Sequence, residues 1–393
     1  MHRKSWLALA GAIWLSWAGA CWSASARHSW MWNVLVVPPP EGWDSEAGRS
    51  IRTVLSWHEA EISDSGTGAG GHDIEFVHIH ELDENSALGV DLPIDDRTVA
   101  ILSFASPEVD RALVQRLRGQ TVPFLMAGGE DVFIDGGGRP IGNVFALDLY
   151  RDYRCSAFAL YAAGTMRRDA HLALIASRFT VDQEREAKIC YALLDDSGFM
   201  PLPFWVDASV SDAYGMVSQE IQSAADGALL TFIGNMAARE MWRAFMRVQT
   251  PWRIWNCAAP DRSYLSCRGM IFADQGLLLP EAGGLMALRR HLWNTRVMRI
   301  SDLVAGGRAH ALAEWVLRAI AALPQPVDAL DRPTLLRALE RTTGIPFGDQ
   351  ELDIVPELHR PSERRVWILE VRERGWSPLA TLTVPGLPYV PYY

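Results

Sequence analysis

Ser106 has the type and the position to do chemistry. It stands in Ala105-Ser106-Pro107-Glu108, directly after the uncharged apolar run Val99 to Phe104. A hydroxyl there can cap a helix or hold the polar end of a ligand. A second apolar run, Val122 to Met126, ends in Ala127-Gly128-Gly129-Glu130, small residues able to expose backbone N–H groups, followed by a carboxylate. His78 and His80 alternate along Ile74 to His80, so on a strand both imidazoles would point the same way. The pair could share a metal, but no recognisable third ligand accompanies it, and a solvated strand face is the simpler reading. Gly66, Gly68 and Gly71 have the G-x-G-x-x-G spacing. They follow a predicted helix and precede a predicted strand, the reverse of the order that aims a helix N-terminus at a pyrophosphate, so they read as a loop. No G-x-S-x-G elbow, P-loop or H-E-x-x-H occurs. Asp195-Asp196 reads as a solvated turn, and Ser106 has only the distant His171 and His291 as conceivable bases. These residues point to binding rather than catalysis, with no cofactor and no metal.

The elements that must position Ser106 are legible. Val99 to Phe104 reads as a strand buried on both faces. Ser106 then caps a helix from Glu108 to Arg118, with Pro107 at its first position and Val109, Leu113, Val114 and Leu117 on one face. Val122 to Met126 is a second buried strand, which completes a βαβ unit whose strands end in ligand-competent loops. Further along, strands at Leu172 to Ala176, Leu202 to Val206, Gly227 to Ile233 and Arg253 to Asn256 alternate with helices at Asp182 to Ser197, Val210 to Ala224 and Ala237 to Arg247. That alternation predicts parallel doubly wound sheets. Helices are expected at Pro280 to Trp293, Gly307 to Leu323 and Pro333 to Thr342, and a last strand at Val366 to Val371.

The serine-bearing βα turn, the strand ending in small residues, Val34 to Pro38 with Gly42 and Gly48, Val144-Phe145 with Asp148, and Gly344-Ile345-Pro346-Phe347 to His359 occur in an order that resembles the type I periplasmic solute-binding proteins, the leucine/isoleucine/valine-binding family. The resemblance implies an α/β fold of two Rossmann-like lobes with parallel sheets joined by a three-strand hinge. Residues 30–150 and 274–358 would form lobe one, and 151–273 and 359–393 lobe two. The function implied is capture of a small molecule between the lobes and its delivery to an inner-membrane transporter.

Carried over residue by residue, the family's ligand-holding serine matches Ser106 and its next backbone donor Gly128, beside Gly129. A usual threonine is replaced by Glu130, a carboxylate that would repel a ligand carboxylate. On lobe two, Phe179 lies near an expected aromatic contact, and Phe232 and Ile233 stand in place of a tyrosine. The acidic partner of a ligand ammonium falls at Ala258, in Asn256-Cys257-Ala258, with Glu130 or Asp261 as conceivable substitutes. A buried ammonium without a counter-charge loses several kcal/mol. With Trp43 and Phe104 on lobe one, and Trp255 as a further candidate, the replacements favour a largely apolar or aromatic ligand with one polar end. The alternative for each side chain is that it packs a core. A periplasmic lipid or cofactor shuttle or sensor working with a non-ABC envelope system, and an ordinary branched-chain amino-acid-binding protein, are the competing functions.

Composition bounds the partners. The 393 residues are 49% hydrophobic and 21% charged, with a net charge of −10, which is unsuited to nucleic acid. His2-Arg3-Lys4, the apolar Trp6 to Trp17 and Ala18-Gly19-Ala20 read as a signal peptide over residues 1–20, so export to the periplasm as a monomer is expected. Cys21 follows the cleavage site and could carry a lipid. Ala18 stands where a lipidation signal usually has leucine, which favours the unmodified form. Of the remaining cysteines, Cys257 and Cys267 bracket a predicted loop and are the expected disulfide. Cys155 and Cys190, on separate predicted helices, read as free buried thiols.

Overall fold

The computed structural model describes residues 31–66, 68–80, 82, 87, 89, 92–128, 139–149, 153–177, 181–206, 213–224, 227–231, 235–247, 253–257, 260, 262–278, 302–324 and 330–386. The expected signal segment, the helix at Pro280 to Trp293 and the tyrosine-rich tail lie outside them.

The first sheet is built from β1 (Met31–Val37), β2 (Asp73–His78), β3 (Thr98–Ser103), β4 (Phe124–Met126) and β5 (Val144–Ala146). Its order is β2-β1-β3-β4-β5 and every pairing is parallel. β3 is buried at every position, as an uncharged run in a sheet covered on both faces must be. Helix α1 (Glu46–Ser65) packs on one face and α2 (Pro107–Leu117) on the other. Ser45 Oγ accepts from Gly48 N at 2.9 Å to start α1, and Gly66, at φ 67°, ends it. The glycine-rich stretch is thus the turn between α1 and β2. β2 stops at His78, short of the expected His80, so the strand alternation relating the two imidazoles does not extend to the second.

The second sheet contains β6 (His171–Ser177), β7 (Met200–Val206), β8 (Ala228–Thr231), β9 (Arg253–Asn256) and β10 (Ile271–Asp274) in the order β7-β6-β8-β9-β10, which repeats the order of the first. Its helices are α3 (Tyr153–Thr165), α4 (Val181–Asp196), α5 (Ala213–Ala224) and α6 (Asn235–Arg247). The chain then returns to the first core through α7 (Leu303–Ala321), α8 (Arg332–Glu340) and the hairpin β11 (Ile345–Phe347) and β12 (Gln350–Leu352). Trp315 of α7 is fully buried there, its indole N–H donating to Leu339 O at 3.0 Å. Burying a side chain of this size contributes roughly 1.5–3 kcal/mol or more, and the polar N–H would offset much of it without that acceptor.

A short antiparallel pair follows, β13 (Ile354–Val355) with β14 (Arg360–Pro361), and then two long strands, β15 (Glu363–Arg372) and β16 (Gly375–Pro385). Both extend the second sheet beyond β10, and both pairings are antiparallel. The second sheet is therefore mixed rather than wholly parallel, and β16 had no counterpart in the sequence reading. The chain passes between the sheets three times, after β5, after β10 and before β15. No helix among the described residues is long and apolar enough to cross a membrane.

Candidate functional site

A doubly wound sheet opens a crevice where neighbouring strands send their loops to opposite sides, at the carboxyl ends. In the order β2-β1-β3, that point lies between β1 and β3. The loops there run from Pro38 to Ser45 and from Phe104 to Ser106, and they carry Trp43 and Ser106. Gly128 follows β4, the next strand along, and is half-buried. The same point in the second sheet lies between β6 and β8, whose following loops hold Phe179, Phe232 and Ile233 in the sequence. Those three, together with Gly129, Glu130 and Ala258, lie outside the described residues.

Trp43 is fixed rather than loose. Its indole N–H donates to Ile79 O at 2.7 Å, and its ring meets the His78 imidazole edge-on with centroids 4.6 Å apart. Its own carbonyl accepts from Arg52 Nη2 at 2.9 Å. Gly48 makes this fold-back geometrically allowed: a Cβ there would lie 2.4 Å from Gly42 O and 2.6 Å from Trp43 Cα. Ser106 caps α2, with Oγ accepting from Val109 N at 3.5 Å. The cap uses an oxygen lone pair and leaves the hydroxyl hydrogen to donate. Ser103, at the end of β3, is tied to Asp110 of α2 and accepts from Ala105 N at 3.3 Å, which holds the turn bearing Ser106.

Other candidates are packed into the protein. Phe104 is 8% exposed and belongs to the core under α1 and α7. Trp255 stacks on Phe158 with centroids 5.4 Å apart inside the second core. Asn256 is fully buried at the end of β9, its amide donating to Met270 Sδ at 3.5 Å.

The expected disulfide is not formed. Cys155 of α3 and Cys190 of α4 are bridged, with Cα atoms 5.0 Å apart, whereas Cys257 and Cys267 are free. The helix pair α3 and α4 packs side by side on one face of the second sheet, which brings thirty-five-residue neighbours together. Nearness in sequence, the basis for pairing Cys257 with Cys267, decides less than this packing. Cys267 lies in the core on the opposite face, and burial pushes both free thiols to higher pKa.

A buried charge cluster at the outer edge of the two five-strand units was not anticipated. Asp148, just after β5, accepts from Arg364 Nη1 of β15 at 2.9 Å and from Arg308 of α7. Arg364 also donates to Leu147 O and lies 4.3 Å over the Phe347 ring. Asp274, ending β10, accepts from Gly276 N at 2.9 Å and Leu278 N at 3.2 Å, while burial works against those bonds and raises its pKa. Asp148 before a helix was visible in the sequence; its arginine partners come from residues 160 and 216 positions away.

No protein-family model matches the sequence, and no curated protein aligns with it. Solved structures do match its fold. An ABC transporter substrate-binding protein from Desulfitobacterium hafniense, solved as a complex with Leu, is 10% identical over 89% of this chain and 100% of its own, with a TM-score of 0.71. A solute-binding protein of an ABC transporter from R. palustris, in complex with benzoate, is 13% identical over 90% and 96%, with a TM-score of 0.65. A leucine-binding protein from Thermotoga maritima is 12% identical over 89% and 98%, with a TM-score of 0.62. With two five-strand units of one order, three chain passages between them and these structural likenesses, the chain has the two-lobed fold of the type I periplasmic binding proteins.

Proposed function

We propose that the protein is an exported solute-binding protein that holds a largely apolar or aromatic ligand, bearing one hydrogen-bond-accepting end, between two lobes and delivers it to a membrane transporter. Lobe one would comprise residues 30–150 and 274–358, and lobe two 151–273 and 359–393. The observation that carries the reading is the placement of Trp43, Ser106 and Gly128 at the carboxyl ends of β1, β3 and β4, beside the point where the first sheet's strand order reverses. A hydroxyl and a backbone N–H there are donors, suited to a carboxylate or carbonyl end, and the indole offers an apolar wall held in place by Ile79 and His78. On lobe two, Phe179, Phe232 and Ile233 would cover the ligand body, and Ala258 offers no charge to an ammonium. That solved relatives in fold are described with Leu and with benzoate supports a small ligand with a carboxylate end. The reaction is binding and release; no catalytic role is assigned to any residue.

Calorimetric titration of residues 22–393 with benzoate, longer apolar carboxylates, apolar alcohols and leucine tests this. Binding of an apolar or aromatic carboxylate, weakened about tenfold by Ser106→Ala through loss of one hydrogen bond worth about 1–1.5 kcal/mol, is expected. Micromolar leucine binding abolished by Ser106→Ala would replace the reading with ordinary amino-acid capture.

A further inference from the structure

Away from that crevice, α1 and α7 pack against each other on the first core and bring three metal-ligating groups to one place. His58 comes from α1; His310 and Glu314 come from α7, one turn apart at i and i+4, so both project from the same helix face. His58 lies about 18 Å along α1 from its N-terminus, well removed from Trp43. One donor atom from each of the three residues lies within 4.8 Å of the others. His58 Nε2 and His310 Nδ1 are 3.0 Å apart, and His58 Nδ1 is 4.0 Å from Glu314 Oε1.

A hydrogen-bonded relay running carboxylate to imidazole to imidazole would account for the first distance. It does not account for the second, because 4.0 Å is too long for an N–H···O bond. The imidazoles meet at hydrogen-bond distance, and Glu314 Oε1 stands off from the other nitrogen of His58. Arg318 holds the other carboxylate oxygen, Oε2, at 3.2 Å, which turns Oε1 toward the imidazoles in the manner of an outer group orienting a ligand. Trp57 walls the cluster, its ring centroid 4.5 Å from that of His58 and 5.7 Å from that of His310. Glu314 keeps 23% of its side chain exposed and gives an entry path.

We propose that His58, His310 and Glu314 form a zinc-binding site that staples α1 to α7. Two imidazoles and one carboxylate with an open fourth position are a zinc donor set; at zinc–ligand bonds of about 2.0–2.2 Å neighbouring donors sit about 3.3 Å apart, close to the spacing of His58 Nε2 and His310 Nδ1, and binding requires the two rings to turn so that both lone pairs meet the ion while Glu314 closes in.

The test uses residues 22–393, stripped with a chelator, loaded with zinc sulfate, desalted and measured for metal content and thermal unfolding. One retained zinc per chain and a melting temperature raised by several degrees are expected. Glu314→Gln and His310→Gln, each melting normally without metal, should both abolish the retained zinc and the rise. Cobalt substitution should give visible bands of a tetrahedral imidazole-ligated ion, lost in the same variants. Zinc that washes out on desalting, or that stays bound in both variants, would overturn the site and leave only the imidazole pair.

Discussion

Replacing Asp148 by Asn tests what holds the two sheets in register. Asp148 is 4% and Arg364 1% exposed, and Arg308 bonds the same carboxylate. The substitution keeps shape but removes the charge that two arginines share, and it turns an amide N–H₂ toward one guanidinium. Leaving a buried charge without its partner typically destabilises by about 3–5 kcal/mol. The pair itself contributes far less than that, because taking both charges out of water nearly offsets their attraction. Asp148→Asn should therefore lower the urea unfolding free energy by about 3–5 kcal/mol, whereas Asp148→Asn combined with Arg364→Met should recover a large part of the loss. Glu373→Gln, which removes an exposed partner of Arg268, should change stability by at most about 1 kcal/mol. Unfolding followed by tryptophan fluorescence and by circular dichroism, with the two transitions compared for coincidence, gives the numbers. A loss below about 1 kcal/mol for Asp148→Asn, or strict additivity with Arg364→Met, would refute the assignment of a desolvated tie between the sheets.

The disulfide makes a direct prediction: residues 22–393, denatured without reductant, should show two reactive thiols, Cys257 and Cys267, and a count of four would disprove the bridge. Replacing Cys155 and Cys190 by Ala should lower stability by about 4 kcal/mol, the loop-closure term for a sequence separation of 35, read by denaturant unfolding. Gly48→Ala places a methyl group 2.4 Å from Gly42 O, so it should lower the melting temperature through about 1–3 kcal/mol of overpacking and weaken ligand binding by displacing Trp43. An unchanged melting temperature would mean that the first loop does not depend on that contact.

What could be read from the sequence divides along a physical line. β3, α2 and β4 were legible because an uncharged run, a capped helix with Pro at its start and a second apolar run are all local signals, and the structure has them within two residues of the expected bounds. The cap by Ser106 was legible for the same reason, since it follows from a serine placed just after a buried strand and before Pro107. Phe104 and Trp255 show the opposite: an aromatic beside a carboxyl end can turn inward, and only the facing helix decides it. The Cys155–Cys190 bridge, the Asp148 cluster and the His58–His310 pair were out of reach because their partners lie 35, 160 or more, and 252 residues apart. β16 had no counterpart in the reading because Pro378 stands inside the run, and a proline there argues against a strand.

That last strand forms one margin of the second sheet. By extending the duplicated five-strand unit with a long hairpin, the chain creates a sheet margin whose outer backbone groups could template another strand. The sequence blunts it in the middle and at its C-terminal end. The register slips between Ile368 and Leu369, where Pro378 faces Leu369 and Ala380 faces Ile368, leaving Leu379 bulged, and Pro385 closes the strand. Prolines lack the N–H that an incoming strand would need, and a bulge twists the margin away from a flat template. The residues that blunt this margin are the same ones that hid the strand from a reading of the sequence.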